Sequence, residues 1–282
     1  MYKAKFINSK GQTFLFGYEH QNLFDIDGLT GQDISISASQ GFNQIGETVE
    51  NLSVGGRLFE ISGRLLGEAT EQKKKMLSVF APFESGRLIF EEKYFIECVV
   101  KYTPIITIEK KNPKFNIVLS ASYPFWQKIT KESYIAGSFV PSFRFPVNYS
   151  EPHRFGVPVS GALLNVYNGG EVEAYFRIDI ISRGETLNPG ILNVKTQEFL
   201  KLNTKVVAGE KYSIYRKKRK LVVEKETEGI VEDVFSLLDE DSDLFALHVG
   251  DNVISAFAEE NESLLTVVIT FNKAVVGVYE GI

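Results

Sequence analysis

Apolar residues in this chain recur almost everywhere in steps of two, and only one stretch spaces them in threes and fours. Side chains alternate across a β-strand and fall on one face of a helix every three or four positions. The pattern therefore predicts a mainly β molecule with a single helix. Short strands that each bury one face must pair into packed sheets or a closed barrel.

The exceptional stretch is residues 70–82. Thr70 is placed to cap a helix there, and Glu71 sits in the first turn, where negative charge suits the helix dipole. Lys73, Met76, Leu77, Phe80 and Phe83 form one side, and Pro82 and Gly86 stop the helix. Lys73, Lys74 and Lys75 spread over more than half its circumference, so most of that run faces solvent.

Around it the first half reads as strands. Residues 3–7 turn at Gly11 into residues 13–16 as a hairpin, and Asp27-Gly28 and Thr30-Gly31 mark turns. Residues 33–39 alternate, with Ile34, Ile36 and Ala38 on one face. Residues 41–56 are polar and irregular and read as a loop. Residues 57–66 resume as a strand, with Gly63 a candidate bulge. Further strands are expected at 87–90, 94–102 and 115–122, the last closing at the only tryptophan, Trp126. In the strand at 94–102, Tyr94, Ile96, Cys98, Val100 and Tyr102 share a face, which makes Cys98 a small buried hydrophobe.

The character changes at residues 131–160. Four of the nine prolines, Pro141, Pro146, Pro152 and Pro158, fall there, and proline removes a ladder donor. Phe139, Phe143, Phe145, Val147 and Tyr149 supply apolar anchors, so this is an ordered linker. Residues 1–130 then form one β domain and residues 161–282 a second. The second opens at residues 163–177, read as a hairpin on the turn Asn168-Gly169-Gly170. Val172, Ala174, Phe176 and Ile178 take its inner face, and Glu173, Tyr175, Arg177 and Asp179 its outer one. Short strands with turn signals follow to the end, among them 212–215 and 221–223, and residues 231–238 suit a short helix. The pattern is that of an antiparallel sandwich or jelly roll.

The chemistry is sparse. The formal net charge of −5 argues against tight nucleic-acid binding, because phosphate-gripping proteins carry a basic surplus. One cysteine allows no internal disulfide. Charges interrupt the apolar residues at the N-terminus, and there is no run of about 18 apolar residues. A chain made in the cytoplasm, with no membrane partner, is expected. His20, His153 and His248 lie far apart, and no nucleophile, phosphate-loop or dinucleotide motif occurs. Asp239, Asp241 and Asp243 begin like a calcium loop, but Leu244 stands where glycine is needed and Gly250 where a bidentate glutamate is needed. Glu91-Glu92 and Glu259-Glu260 are adjacent, hence on opposite strand faces. No catalytic, cofactor-binding or metal residue is assigned, no cofactor is expected, and the chain does not read as an enzyme. The sharpest charge feature is the run of five basic residues from Arg216 to Lys220. It is a solvated turn or a contact to an acidic partner, such as a neighbouring subunit or an anionic wall polymer, unless Glu224, Glu226 and Glu228 neutralise it within the chain.

Several stretches in order resemble the distal tail (Dit) proteins of long-tailed bacteriophages, a phage tail-component family. In the first domain they are Phe59-Glu-Ile-Ser-Gly63, the helix that follows, Arg87-Leu-Ile-Phe90 and Ser120-Ala-Ser-Tyr-Pro-Phe-Trp126. In the second they are Val166-Tyr-Asn-Gly-Gly-Glu-Val-Glu-Ala-Tyr175, Asn188-Pro189 with Asn193, Gly209-Glu210 and Asp243-Leu-Phe-Ala-Leu-His-Val-Gly-Asp-Asn-Val-Ile254. The resemblance implies a virion structural protein at the tail tip. Its N-terminal β domain, with one helix, forms a hexameric ring docked on the tail tube. Its C-terminal galectin-like β-sandwich carries tip, baseplate or receptor-binding proteins, and DNA passes through the ring. It transfers no site residues. The alternative reading is a carbohydrate-binding module for bacterial cell-wall polysaccharide.

Overall fold

The computed structural model describes residues 3–136, 140, 141, 156, 157, 163–217, 220–243 and 245–278. Two compact units divide the chain. One is Met1–Thr130 with Ala274–Ile282, and the other is Lys131–Lys273. Each has its own apolar core.

The first unit is built on β1 (Ala4–Asn8), β2 (Thr13–Phe16), β3 (Asn22–Asp27), β4 (Ile34–Ser39), β5 (Thr48–Val54), β6 (Arg57–Leu65), α1 (Thr70–Val79), β7 (Ser85–Phe90), β8 (Tyr94–Ile106), β9 (Lys114–Ala121) and the start of β10 (Trp126–Ala136). Seven strands pair antiparallel in the order β2-β1-β7-β8-β9-β6-β3. Strand β8 makes the bend. It pairs β7 as far as Val99, then runs beside β9 with register shifts around Tyr102. The alternating residues aim inward, so Phe6, Phe14, Phe16, Phe59, Phe90, Phe115 and Trp126 fill one aromatic core. The Phe6 and Phe80 rings stack with centroids 4.7 Å apart, and Phe59 meets Trp126 edge-on at 5.3 Å. Such pairs add about 0.5–1.5 kcal/mol each beyond the area they bury.

The helix is shorter than its pattern suggests. Ala69, not Thr70, occupies the cap position, and no side chain caps it. Met76, Val79 and Phe80 are buried against this curled, barrel-like sheet, whose end strands β2 and β3 do not pair, whereas Leu77 is 51% and Phe83 101% exposed. The helix ends at Val79, so Phe83 falls in a turn with φ of 66° and leaves the helical face. Lys73 reaches back to donate to the carbonyls of Thr107 and Glu109. Glu84, in the turn before β7, is buried and accepts from Ser9 (2.9 Å) and the Lys10 ammonium. Those two donors hold its carboxyl below the usual carboxylate range.

Two other expectations change here. Gly63 is no bulge, because β6 keeps regular register with β3 and β9 through it. A Cβ there would run into the Leu23 carbonyl and the Phe115 ring, so glycine permits close strand approach. Residues 41–56 are not all loop. Thr48–Val54 is a strand whose bulge opposite Ser37 and Ala38 breaks the two-residue period and hides the alternation.

The second unit adds β11 (Val140–Pro141), β12 (Gly156–Val157), β13 (Leu163–Asn168), β14 (Phe176–Ser182), β15 (Thr186–Leu187), β16 (Gly190–Asn193), β17 (Phe199–Lys201), β18 (Lys205–Val206), β19 (Glu210–Lys217), β20 (Lys220–Thr227), β21 (Ile230–Asp233), β22 (Gly250–Phe257) and β23 (Leu265–Val275). One sheet runs β23-β14-β19-β20-β21 and the other β13-β22-β16-β17. Ile178, Ile180, Tyr212, Ile214 and Ile269 of the first sheet share a core with Val166, Ile191, Leu200 and Ile254 of the second. This is a two-layer sandwich.

The segment at 163–177 is not a hairpin. Strand β13 pairs with β22, and β14 pairs with β19 and β23. The turn instead carries the chain from one sheet to the other. Buried Asn168 secures the crossing by donating to the carbonyls of Val172 (3.1 Å) and Leu247 (3.0 Å) while accepting from the Gly170 amide. Residues 231–238 form β21 and a short 3-10 turn (Phe235–Leu237), not a helix. The second domain was expected to run to residue 282, yet Val275 and Val278 are buried in the first core and Val278 donates to the Leu29 carbonyl. Strand β10 carries ordered pairing through to Ala136, inside the expected linker. The anchors Phe139, Phe143, Phe145, Val147 and Tyr149, prolines 146, 152 and 158, and His153 lie outside the described residues. So do Lys218, Arg219 and Leu244.

Candidate functional site

Strands β4 and β5 form an arm that, among the described residues, pairs only with itself. Its register sets Ile34 opposite Val54, Ile36 opposite Leu52 and Ala38 opposite Val49 on one face. Ser35 faces Ser53, Ser37 faces Asn51 and Ser39 faces Thr48 on the other. Among the paired residues one face is thus wholly apolar and the other carries only hydroxyls and an amide, while Glu50 stands unpaired at the bulge. Every residue of both strands is exposed. At the tip Gln44 orders the loop, accepting from the Gly41 amide and donating to Thr48. That leaves Phe42 98% and Ile45 102% exposed.

A two-stranded ribbon is marginal alone in water, and contiguous exposed apolar patches mark interaction sites. Covering such side chains is worth about 1.5–3 kcal/mol each for the larger ones. The arm's root is rigid by contrast. Buried Arg57 donates to the carbonyls of Gly28, Leu29 and Val276. Burial alone draws its guanidinium below its ordinary value.

A second exposed apolar face lies on the outside of the barrel. Leu58 on β6 and Val99 on β8 both sit opposite Ser120 on β9, and Tyr102 sits opposite Val118. Leu58, Val99, Tyr102 and Ile105 are all exposed. The charge of the region is one-sided as well. Residues 11–56 hold Glu19, Asp25, Asp27, Asp33, Glu47 and Glu50 but neither lysine nor arginine.

Elsewhere the polar groups are engaged with one another. Cys98 is buried, and burial pushes its thiol up to about 12, which leaves it unreactive. His20 is exposed, and His248 Nδ1 lies 2.8 Å from Glu173. Asp239, first of the acidic turn, pairs with Lys201 at 3.0 Å, and that bond lowers its carboxyl. Among the described residues no three His, Cys, Asp or Glu are arranged to hold a metal. No described helix is long and apolar enough to cross a membrane. On the outer face of β14 and β19, Arg177 bonds Asp179 (2.9 Å) and Ser213 (2.7 Å), and Tyr215 donates to Glu224 (2.9 Å). The glutamates expected to neutralise the basic turn are therefore partly committed elsewhere, Glu226 to Lys211 as well. The sequence reading missed the arm as a site because it treated half of it as loop. The alternation of residues 33–39 was the available signal.

Residues 169–274 match the family model described as siphovirus-type tail component, C-terminal domain. The Dit protein of SPP1, described as a paradigm of hub adsorption apparatus in phages that infect Gram-positive hosts, superposes with a TM-score of 0.67 at 12% identity, over 96% of this chain and 98% of that one. The phage P2 baseplate in its activated conformation with calcium gives 0.57 at 12% identity, over 99% of this chain and 100% of that one. The same baseplate with strontium gives 0.51 at 12%, with 99% and 100% covered. No curated protein sequence matches. The resemblance to distal tail proteins is borne out in the C-terminal family match and in the shared fold, mainly β with a C-terminal galectin-like sandwich.

Proposed function

We propose that this chain is a structural, non-catalytic component of a phage tail tip. Its first unit closes into a ring, hexameric as the resemblance implies, that joins the tail tube to baseplate or receptor-binding proteins and lets DNA through. Its second unit is the platform those proteins use. The observation that carries the assembly reading is the arm, which exposes six apolar side chains on one face and has no cover among the described residues. The exposed face of β6, β9 and β8 is the complementary surface. An arm laid on the next copy's barrel face is a heterologous contact, and heterologous contacts that close make rings. With the apolar face so used, the hydroxyl face and the carboxylates of residues 11–56 are left for the lumen. A neutral or acidic lining lets phosphates slide past without gripping them.

Micrographs of the purified full chain test this directly. Rings with a central hole are the expected result, and a clean monomer at micromolar concentration overturns the reading. Retardation of duplex DNA at physiological salt overturns the part that concerns the lumen.

A further inference from the structure

The exposed face of β6, β9 and β8 has two unlike ends. In register across the strands, Leu58, Ser120 and Val99 make one end. Glu60, Val118 and Tyr102 follow, with Asp27 of β3 opposite Glu60. Ser62, Asn116 and Ile105 come next. Arg64 and Lys114 close the far end, directly opposite each other. Both are exposed, and among the described residues no carboxylate pairs with either. Like charges opposed across strands destabilise a sheet. The chain beside them adds to the charge, because residues 101–114 hold four lysines and one glutamate. That glutamate, Glu109, accepts from the Thr107 hydroxyl.

The arm supplies the opposite sign at a matching length. Among residues 33–56 the charged side chains are Asp33, Glu47 and Glu50. Asp33 lies at the root, where its carbonyl accepts from the Gly55 amide. Glu47 borders the tip loop and Glu50 stands at the bulge, both exposed. At about 3.3 Å per residue, the chain from Val54 to Glu47 spans about 23 Å and that from Leu58 to Arg64 about 20 Å. Laid with its tip at the Arg64 end, the arm covers Val99, Tyr102 and Ile105 and brings its two glutamates to the two cations. Laid the other way, the same glutamates meet Glu60 and Asp27, and like charges set against each other select against that pose. Charge thus gives the docking a direction that apolar contact alone lacks. We infer that Arg64 and Lys114 receive the arm tip of the next copy of this chain, with Glu47 and Glu50 as their partners. The inference rests on the reading that the arm lies on a neighbouring copy. A small anion would pair the cations and leave the apolar rows bare, whereas the arm answers both.

The test uses two full-chain variants. Arg64→Glu with Lys114→Glu makes the receiving end acidic, and Glu47→Lys with Glu50→Lys makes the tip basic. All four side chains are exposed, so circular dichroism should show both variants folded. In either variant alone, tip and receiving end carry the same sign. Rings should then need a protein concentration about a hundredfold or more above that of wild type. Mixed in equal amounts, the tip of each variant matches the receiving end of the other, and rings should return with both variants in equal number. Wild-type rings should also loosen as salt rises. Rings formed by either variant alone as readily as by wild type overturn the inference and leave the ring reading standing. Folded variants that stay apart when mixed overturn it in favour of a different anionic partner for the cations. A wild-type chain without rings overturns the ring reading itself, and this inference with it.

Discussion

Strands β4 and β6 carry the same period of two and meet opposite fates. In β6 the alternation resolves into buried Arg57, Phe59, Ile61 and Leu65 with the residues between them more exposed, because β3 and β9 flank it and the barrel core lies beneath. In β4, Ile34, Ile36 and Ala38 share a face just as regularly, yet nothing among the described residues lies over them. Periodicity therefore determines which side chains act together. Whether they become core or contact depends on what the topology places above them. An amphipathic ribbon left bare by its own chain is a surface awaiting another.

The largest contrast expected from this pair is in assembly. Ile36→Ser with Leu52→Ser removes two facing members of the arm's apolar face without touching the barrel. Size-exclusion chromatography should move from ring to monomer, while the melting temperature of that monomer stays within about 2 °C of a wild-type monomer, as surface changes do. Rings that persist would mean the arm does not hold the ring, and a monomer that melts far lower would mean the arm is part of the core after all.

The counterpart in β6 is Phe59→Ala. Phe59 is fully buried, with the Trp126 ring against it. Truncating it should destabilise the first unit by about 3–5 kcal/mol. Chemical denaturation should show a reduced midpoint, and any ring loss should follow unfolding rather than precede it. A ring lost at full stability would erase the distinction between the two strands.

The mainly β class, the single helix and the inward side of β8 follow from periodicity, since Tyr94, Ile96, Cys98 and Val100 need only alternate to be read, whereas Tyr102, expected on the same face, is exposed beyond the register shift. What was lost depended on pairing partners, which local pattern does not encode. Asn168-Gly169-Gly170 has the composition of a hairpin turn, but its strands enter different sheets. The buried Asn168 side chain, not the glycines, marks the crossing. The bulge in β5 shifted Val49 out of step with Leu52, so a strand looked like loop. The basic run from Arg216 was visible at once. The opposition of Lys217 and Lys220, and the commitment of Glu224 and Glu226 elsewhere, required the register.

The smallest expected effect separates the two strands by pH. The barrel holds Glu84 charged in a buried position through Ser9 and Lys10, with its carboxyl below the usual range. A carboxyl whose folded value is depressed stabilises the fold above its unfolded value, about 4.3, and that contribution disappears as pH falls through the folded value. Glu84→Gln should therefore melt below wild type at pH 7, and the gap should close as pH falls below the unfolded value of about 4.3 and through the lower folded one. Melting curves of arm-substituted monomers, with and without Glu84→Gln, isolate the effect from the ring. They should show the same closing gap, because the carboxyl belongs to the core beside β1 and β7 and has no part in the arm. A gap that stays constant with pH would mean Glu84 acts through its shape and not its charge.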